Sequence, residues 1–251
     1  MAERRRIVAV GQKTYLGYAQ TRAWLEAAVE TGRRFGAEVD LVVFPVAPAL
    51  PLTVELGTAG SLAVGAQDVS AQPPGAFTGE LPAALLAEIG VRYVELGHAE
   101  RRFLFGEQAE VIRAKTEISV AHGLLPLLCV GEGTLGDTTP VGAPDAVDQA
   151  GAQLTEVLDL LPRELPFVVA YEPVWAIGAD QPAPVEHVRA VAAGLRSLLE
   201  GHPAARLIYG GTAGPGLFGA ISEATDGLFL GRRAHDPAGF AAVLSEVAPA
   251  H

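Results

Sequence analysis

The sequence predicts a single α/β domain, spanning residues 1–251, closed into a (β/α)8 barrel, and three observations carry that prediction. Eight short apolar, β-branched-rich runs recur along the chain, segments of helical period separate most of them, and the notable polar residues fall just after the runs. A chain of 251 residues suits one barrel as well as two small domains, and no linker-like stretch divides it.

Each run reads as a buried strand because it is short, apolar and bounded by turn-forming residues. In order they are IVAV from Ile7, VDLVVF from Val39, SLAVGA from Ser61, RYVEL from Arg92, LLPLLCV from Leu124, PFVVAY from Pro166, RLIYG from Arg206 and GLFLG from Gly227. Helical period appears over Arg22–Phe35, Glu107–His122, Asp145–Leu161, Pro184–Glu200 and Pro237–Val247. Strand and helix alternate to the end, which favours a parallel sheet covered by helices. The Gly/Pro/Thr-rich stretch from Gly131 to Pro144 lies between a strand and a helix and is expected to be a loop.

Composition narrows the functional classes. Apolar residues make up 49% of the chain and charged ones 19%, enough for a large core and unlike a disordered or fibrous protein. A formal charge of −11 disfavours nucleic acid as a partner, so an anionic substrate would need a local positive site. The single cysteine, Cys129, cannot form an internal disulfide, and the cytoplasm is the expected compartment. The basic start MAERRR precedes only a short apolar run before Gly11, too short for a signal-peptide core or a membrane span. Its arginines are expected to solvate the barrel entrance. No His/Cys/Asp cluster has metal spacing and no glycine-rich nucleotide fingerprint opens a βα unit, so neither a metal nor a cofactor is expected.

His98, Glu132, Glu172, Thr212 and Gly231 each follow a strand, on the face where parallel barrels build their sites. The segments around them, ELGHAERRFLFGE, LCVGE, AYEPVWAIG, YGGT and DGLFLG, resemble the motifs of the triosephosphate isomerase family in order and spacing, over nearly the whole chain. YEPVWAIG is the specific signal; YGG or DG alone would be weak. The resemblance implies a TIM barrel that interconverts D-glyceraldehyde 3-phosphate and dihydroxyacetone phosphate through an enediolate. It also implies that no cofactor is used and that the enzyme is a homodimer.

Glu172 ends an apolar strand and could be only a solvated carboxylate, but the adjoining PVWAIG can close over it, exclude water and raise its basicity. The resemblance makes it the base that removes a proton beside a carbonyl. His98 opens the short helical turn AERR, where backbone N–H groups disfavour an imidazolium; the bland reading is a capping or core histidine. A neutral, hydrogen-bond-donating histidine is the role known for this family, and it is carried over to His98 by resemblance alone. Lys13 follows the first strand and faces the same mouth, or is simply an exposed lysine. Glu100 either orients Lys13, as the resemblance implies, or caps a turn. Substrate phosphate is expected on backbone amides at Gly178, Thr212, Gly231 and Arg232, although such glycines also serve tight turns. Cys129 sits in an apolar strand and is expected to be a packing residue.

The chain also departs from the family pattern. Gly11 and Gln12 stand where an asparagine and a tryptophan are usual, Ala99 replaces a serine, Arg232 a glycine, and the lid over Pro173–Pro182 ends ADQP. These changes border the substrate and leave the proton-transfer groups intact. Losing the asparagine at Gly11 removes a substrate contact and opens space, unless Gln12 or a water replaces it. A four-carbon ketose phosphate such as a tetrulose or erythrulose phosphate is therefore an alternative substrate, and a non-catalytic phosphorylated-ligand-binding barrel is a third reading. The loop Gly75–Glu80, GAFTGE, resembles the family's dimer loop, with a flexible surface turn as the bland reading for Phe77.

Overall fold

Parallel strands β1 (Ile7–Gly11), β2 (Asp40–Phe44), β3 (Leu62–Ala66), β4 (Tyr93–Leu96), β5 (Leu125–Val130), β6 (Val168–Tyr171), β7 (Arg206–Tyr209) and β8 (Gly227–Leu230) pair in chain order, and β8 closes on β1. This is the (β/α)8 barrel the sequence predicts, seen in a computed structural model that describes residues 5–249. Alternation sorts the side chains. Ile7, Ala9, Val42, Phe44, Leu127, Ala170, Ile208 and Phe229 fill the interior, while Val8, Val10, Leu41, Val43 and Val169 point outward beneath the helices. Both faces of the strands are thus largely buried, which is why the runs are mostly apolar, with Asp40, Glu95 and Arg206 the charged exceptions.

The helices are α1 (Tyr18–Phe35), α2 (Leu50–Gly57), α3 (Ala83–Glu88), α4 (Ala99–Leu104), α5 (Ala109–Ala121), α6 (Ala143–Leu158), α7 (Val185–Leu198), α8 (Phe218–Ile221) and α9 (Pro237–Val247). Helix α1 starts a turn before the predicted Arg22, because the Gln20 side chain accepts the Gly17 N–H at 3.0 Å and satisfies that end. Helix α9 matches its prediction: the Asp236 carboxylate accepts the Ala238 N–H at 3.0 Å and Pro237 occupies the first turn.

The N-terminal end of the barrel is plugged by polar groups. Arg206 points inward, pairs with Asp40 and donates to the Tyr93 hydroxyl at 3.1 Å. Arg5 pairs with Asp40 at 2.8 Å and Arg6 donates to the Val247 carbonyl at 2.7 Å. These two arginines therefore seal the end opposite the mouth; Arg4 lies outside the described residues. Among the described residues no helix is long and apolar enough to cross a membrane.

Candidate active site

A cavity of about 530 Å³ opens at the C-terminal ends of the strands and brings together Gly11, Lys13, His98, Glu100 and Glu172. Lys13 adopts a left-handed backbone, φ 48°, which costs energy for any residue with a side chain. The Gln67 amide secures it there, donating to the Lys13 carbonyl at 2.9 Å and to the Phe44 carbonyl at 3.0 Å. The resulting turn aims the ammonium at Glu100, 2.6 Å away. Burial works against the charge on Lys13, but the Glu100 hydrogen bond and charge, with Glu172 and Glu95 behind them, outweigh it and raise the lysine above its ordinary value. Glu100 thus takes the lysine-pairing position. The turn is capped by His98, whose Nδ1 accepts the Glu100 N–H at 3.1 Å.

That cap also sets the histidine's chemistry. With Nδ1 an acceptor, the ring proton of a neutral His98 resides on Nε2, which lies 3.4 Å from Glu172 Oε2. Burial, then the Lys13 charge, push His98 down to about 4, so it is neutral across the physiological range. Glu172 moves the opposite way. Burial lifts its carboxyl to about 8 against the pull of Lys13. Among the described residues Glu172 Oε2 has no hydrogen-bond partner, since the 3.4 Å approach of His98 lacks bonding geometry. Gly210 backs Glu172 closely: a Cβ there would meet Glu172 Oε1 at 2.5 Å, so any side chain at this position would displace the carboxyl.

The other end of the cavity is roofed by the lid. Its first turn, Val174–Ala176, is anchored by Glu132, which accepts from Trp175 Nε1 at 2.8 Å and from the Tyr171 hydroxyl at 3.1 Å, with His187 Nε2 at 3.2 Å. Glu132, fully buried and outside the cavity lining, therefore supports this turn. Gly178, with φ 74°, Thr212, Gly231 and Arg232 all line the cavity beneath the lid. Arg232 donates to the Gly178 carbonyl at 3.2 Å and Arg233 to the Asp180 carbonyl at 2.7 Å, so two cations tie the lid to the strand-eight loop. The far hinge is held by the Ala183 N–H, which donates to the Tyr209 hydroxyl at 2.9 Å. Helix α8 begins several residues after Thr212, at Phe218, so the amides at Thr212 belong to a turn and not to a helix end.

Two observations bear on the Gly11 end of the cavity. Gln12 is fully buried and does not line the cavity, so its amide does not stand in for a side chain at Gly11. The space at Gly11 is also partly taken: a Cβ there would meet the Phe229 ring at 3.1 Å. Glu95 opens the segment ELGHAERRFLFGE, but nothing in that motif announces it as a cavity residue. It sits mid-strand in YVEL, two residues after inward-facing Tyr93, and it lines the cavity while only 7% exposed. A lone carboxylate in a buried strand was the available signal. Cys129 lies 3.9 Å from Glu95 Oε1, and burial pushes its thiol well up, which fits a packing role. Among the described residues no group of three or more His, Cys, Asp or Glu side chains converges as metal ligands would.

Comparison with known proteins agrees with the barrel and its motif order. The sequence model of the triosephosphate isomerase family matches residues 6–247. L-erythrulose-1-phosphate isomerase of Pectobacterium atrosepticum is 41% identical over 256 residues, 98% of this chain and 97% of that protein. Triosephosphate isomerase of Symbiobacterium thermophilum is 39% identical over 222 residues, covering 84% of this chain and 85% of its own length. That of Leifsonia xyli subsp. xyli is 40% identical over 239 residues, 91% of this chain and 90% of its own. With the closed barrel, the five motifs and a match over nearly its full length, the chain belongs to the triosephosphate isomerase family.

Proposed function

We propose that the chain is an isomerase that moves a carbonyl between adjacent carbons of a short phosphorylated sugar. The observation that carries this reading is an unpaired, desolvated Glu172 oxygen beside a neutral His98 and a cationic Lys13 in one cavity. Glu172 takes the proton from the carbon next to the carbonyl, and the electrons left behind form the carbon–carbon double bond of an enediolate. The Lys13 ammonium and the His98 Nε2–H stabilise the developing oxyanion without reorganising. Glu172 then returns the proton to the neighbouring carbon while His98 Nε2 gives its proton to the former carbonyl oxygen and takes the hydroxyl proton from the adjacent one, so the balance closes without a cofactor. The lid excludes water while amides at Gly178, Thr212, Gly231 and Arg232 hold the phosphate.

The substrates in question share the form phosphate–CH2–CO–CH(OH)–R. With R a hydrogen, the reaction interconverts dihydroxyacetone phosphate and D-glyceraldehyde 3-phosphate, the reaction named for two of the relatives. With R a hydroxymethyl, the same proton transfer moves the carbonyl of a tetrulose phosphate, and two observations favour this second substrate: Gly11 in the sugar-end wall and the name of the 41% identical relative. Specificity constants for both substrates, measured side by side on the purified protein, test the proposal. Turnover of neither, in a protein that still binds inorganic phosphate, would leave the ligand-binding barrel as the better reading.

The working unit proposed is a homodimer in the cytoplasm. Phe77 is 44% exposed in the Gly75–Glu80 loop, and Tyr15 after β1, Phe103 and Leu104 in α4 and Phe105 at its end are also exposed. Large apolar side chains left in water at this end of the barrel favour burial against a second copy.

A further inference from the structure

The upper interior of the barrel holds one group that the proposed proton transfer does not use. Glu95 projects inward from β4 among Leu127, Cys129 and the rings of the interior cluster, with its carboxyl in the cavity wall. Among the described residues it forms no ion pair, because the Lys13 ammonium is committed to Glu100, and its one hydrogen-bond contact is the weak thiol of Cys129. A buried carboxyl without a strong partner is costly to a fold, and the contrast with Arg206 at the other end of the barrel, matched to Asp40 and Tyr93, is direct. A group kept at such cost in a cavity wall calls for a ligand atom.

We propose that Glu95, together with Gly11 and Phe229, forms a subsite for the hydroxymethyl group that distinguishes a tetrulose phosphate from a triose phosphate, with the Glu95 carboxyl hydrogen-bonded to that hydroxyl. The inference rests on the isomerase reading above and names the residue that selects its substrate. The phosphate is held under the lid, so R extends from the carbon beside Glu172 away from the lid, toward the inner wall. Gly11, Phe229 and Glu95 all line the cavity, and Phe229 lies against Gly11. Phe229, whose ring takes part of the space beside Gly11, covers the methylene, and Glu95 supplies the polar partner. The charged groups around Glu95 are Glu172, Lys13, Glu100 and Asp68; burial, and then the repulsion of Glu172, raise its carboxyl to about 8. A protonated carboxyl offers one donor and one acceptor, which suits a hydroxyl and adds no repulsion toward a dianionic substrate.

The test compares wild type, Glu95→Val and Glu95→Gln by the ratio of specificity constants for tetrulose 1-phosphate and dihydroxyacetone phosphate. Removing the hydrogen-bonding partner of a buried hydroxyl is expected to lower the ratio about tenfold or more in Glu95→Val. Glu95→Gln keeps a donor and an acceptor and is expected to stay within about threefold of wild type. Valine also removes a buried carboxyl, so that variant is expected to fold, and the glutamine variant provides a second reading of the same contact. A ratio unchanged in Glu95→Val, with both constants falling together, would overturn the subsite and make Glu95 a tuner of Glu172. Wild-type turnover of triose but not tetrulose phosphate would also overturn it, leaving the isomerase reading intact. Turnover of neither would sink both.

Discussion

Glu172→Gln should abolish turnover and, above neutral pH, stabilise the fold. The carboxyl is raised from 4.5 to about 8, chiefly by burial. Between those two values the native state holds a proton that the unfolded chain releases, so wild-type stability falls as pH rises through the window and stays lowered above it. At ~1.4 kcal/mol per tenfold change in proton affinity, the full loss approaches ~5 kcal/mol, an upper bound because nearby Glu95 competes to bind a proton in the same cavity. Glutamine does not titrate. Its amide meets an oxygen position that has no partner among the described residues, which costs about 1–2 kcal/mol at every pH. The variant should therefore be no more stable than wild type near pH 5, and more stable by about 2–4 kcal/mol near pH 9. Urea unfolding at fixed protein concentration across that range reads the difference. A difference that stays constant from low to high pH would show that Glu172 is not desolvated in the folded protein.

Further perturbations separate the parts of the site. Glu172→Asp should lower kcat by about a hundredfold or more with little change in KM, because a shorter side chain misplaces the base; near wild-type turnover under chemistry-limited conditions would remove Glu172 from that role. Dephosphorylated sugar should lose turnover as well as affinity, since the phosphate holds the lid closed, and equal kcat with and without phosphate would contradict this. Arg232→Ala removes the tie to the Gly178 carbonyl and should raise KM for phosphorylated substrate about tenfold, an effect absent if Arg232 only solvates the loop. Phe77→Asp should shift sedimentation toward monomer at micromolar concentration; a wild type already monomeric there would refute the dimer.

The barrel was legible because the strands are largely buried on both faces, so eight mostly apolar runs survive in the sequence with ends within a residue or two of those observed. Helices α2 and α3 were not, since Leu50–Gly57 and Ala83–Glu88 are too short to display a helical period. Glu100, His98 and Glu172 could be named from motifs, Lys13 from its place after the first strand, and a capping His98 from the turn it opens, whereas the Gln67 amide that holds Lys13 is announced by no local pattern. The Glu132 cluster draws Tyr171, Trp175 and His187 from distant positions, so its support of the lid emerges only in three dimensions. Position 11 shows the limit of reading one residue at a time: the vacancy left by glycine is real in sequence, yet Phe229 from β8 occupies part of it. Glu95 escaped for a related reason, because its inward direction is set by strand parity with Tyr93 and by the barrel's closure.

The most direct test of the proposed chemistry is deuterium incorporation from heavy water during turnover of dihydroxyacetone phosphate and of tetrulose 1-phosphate, followed by mass spectrometry of substrate and product. Proton abstraction by Glu172 predicts deuterium on the carbon that receives the returned proton, in wild type with at least one of the two substrates, and its disappearance in Glu172→Gln. Turnover that continues in Glu172→Gln with the same labelling, or no exchange in wild type with either substrate, would contradict it.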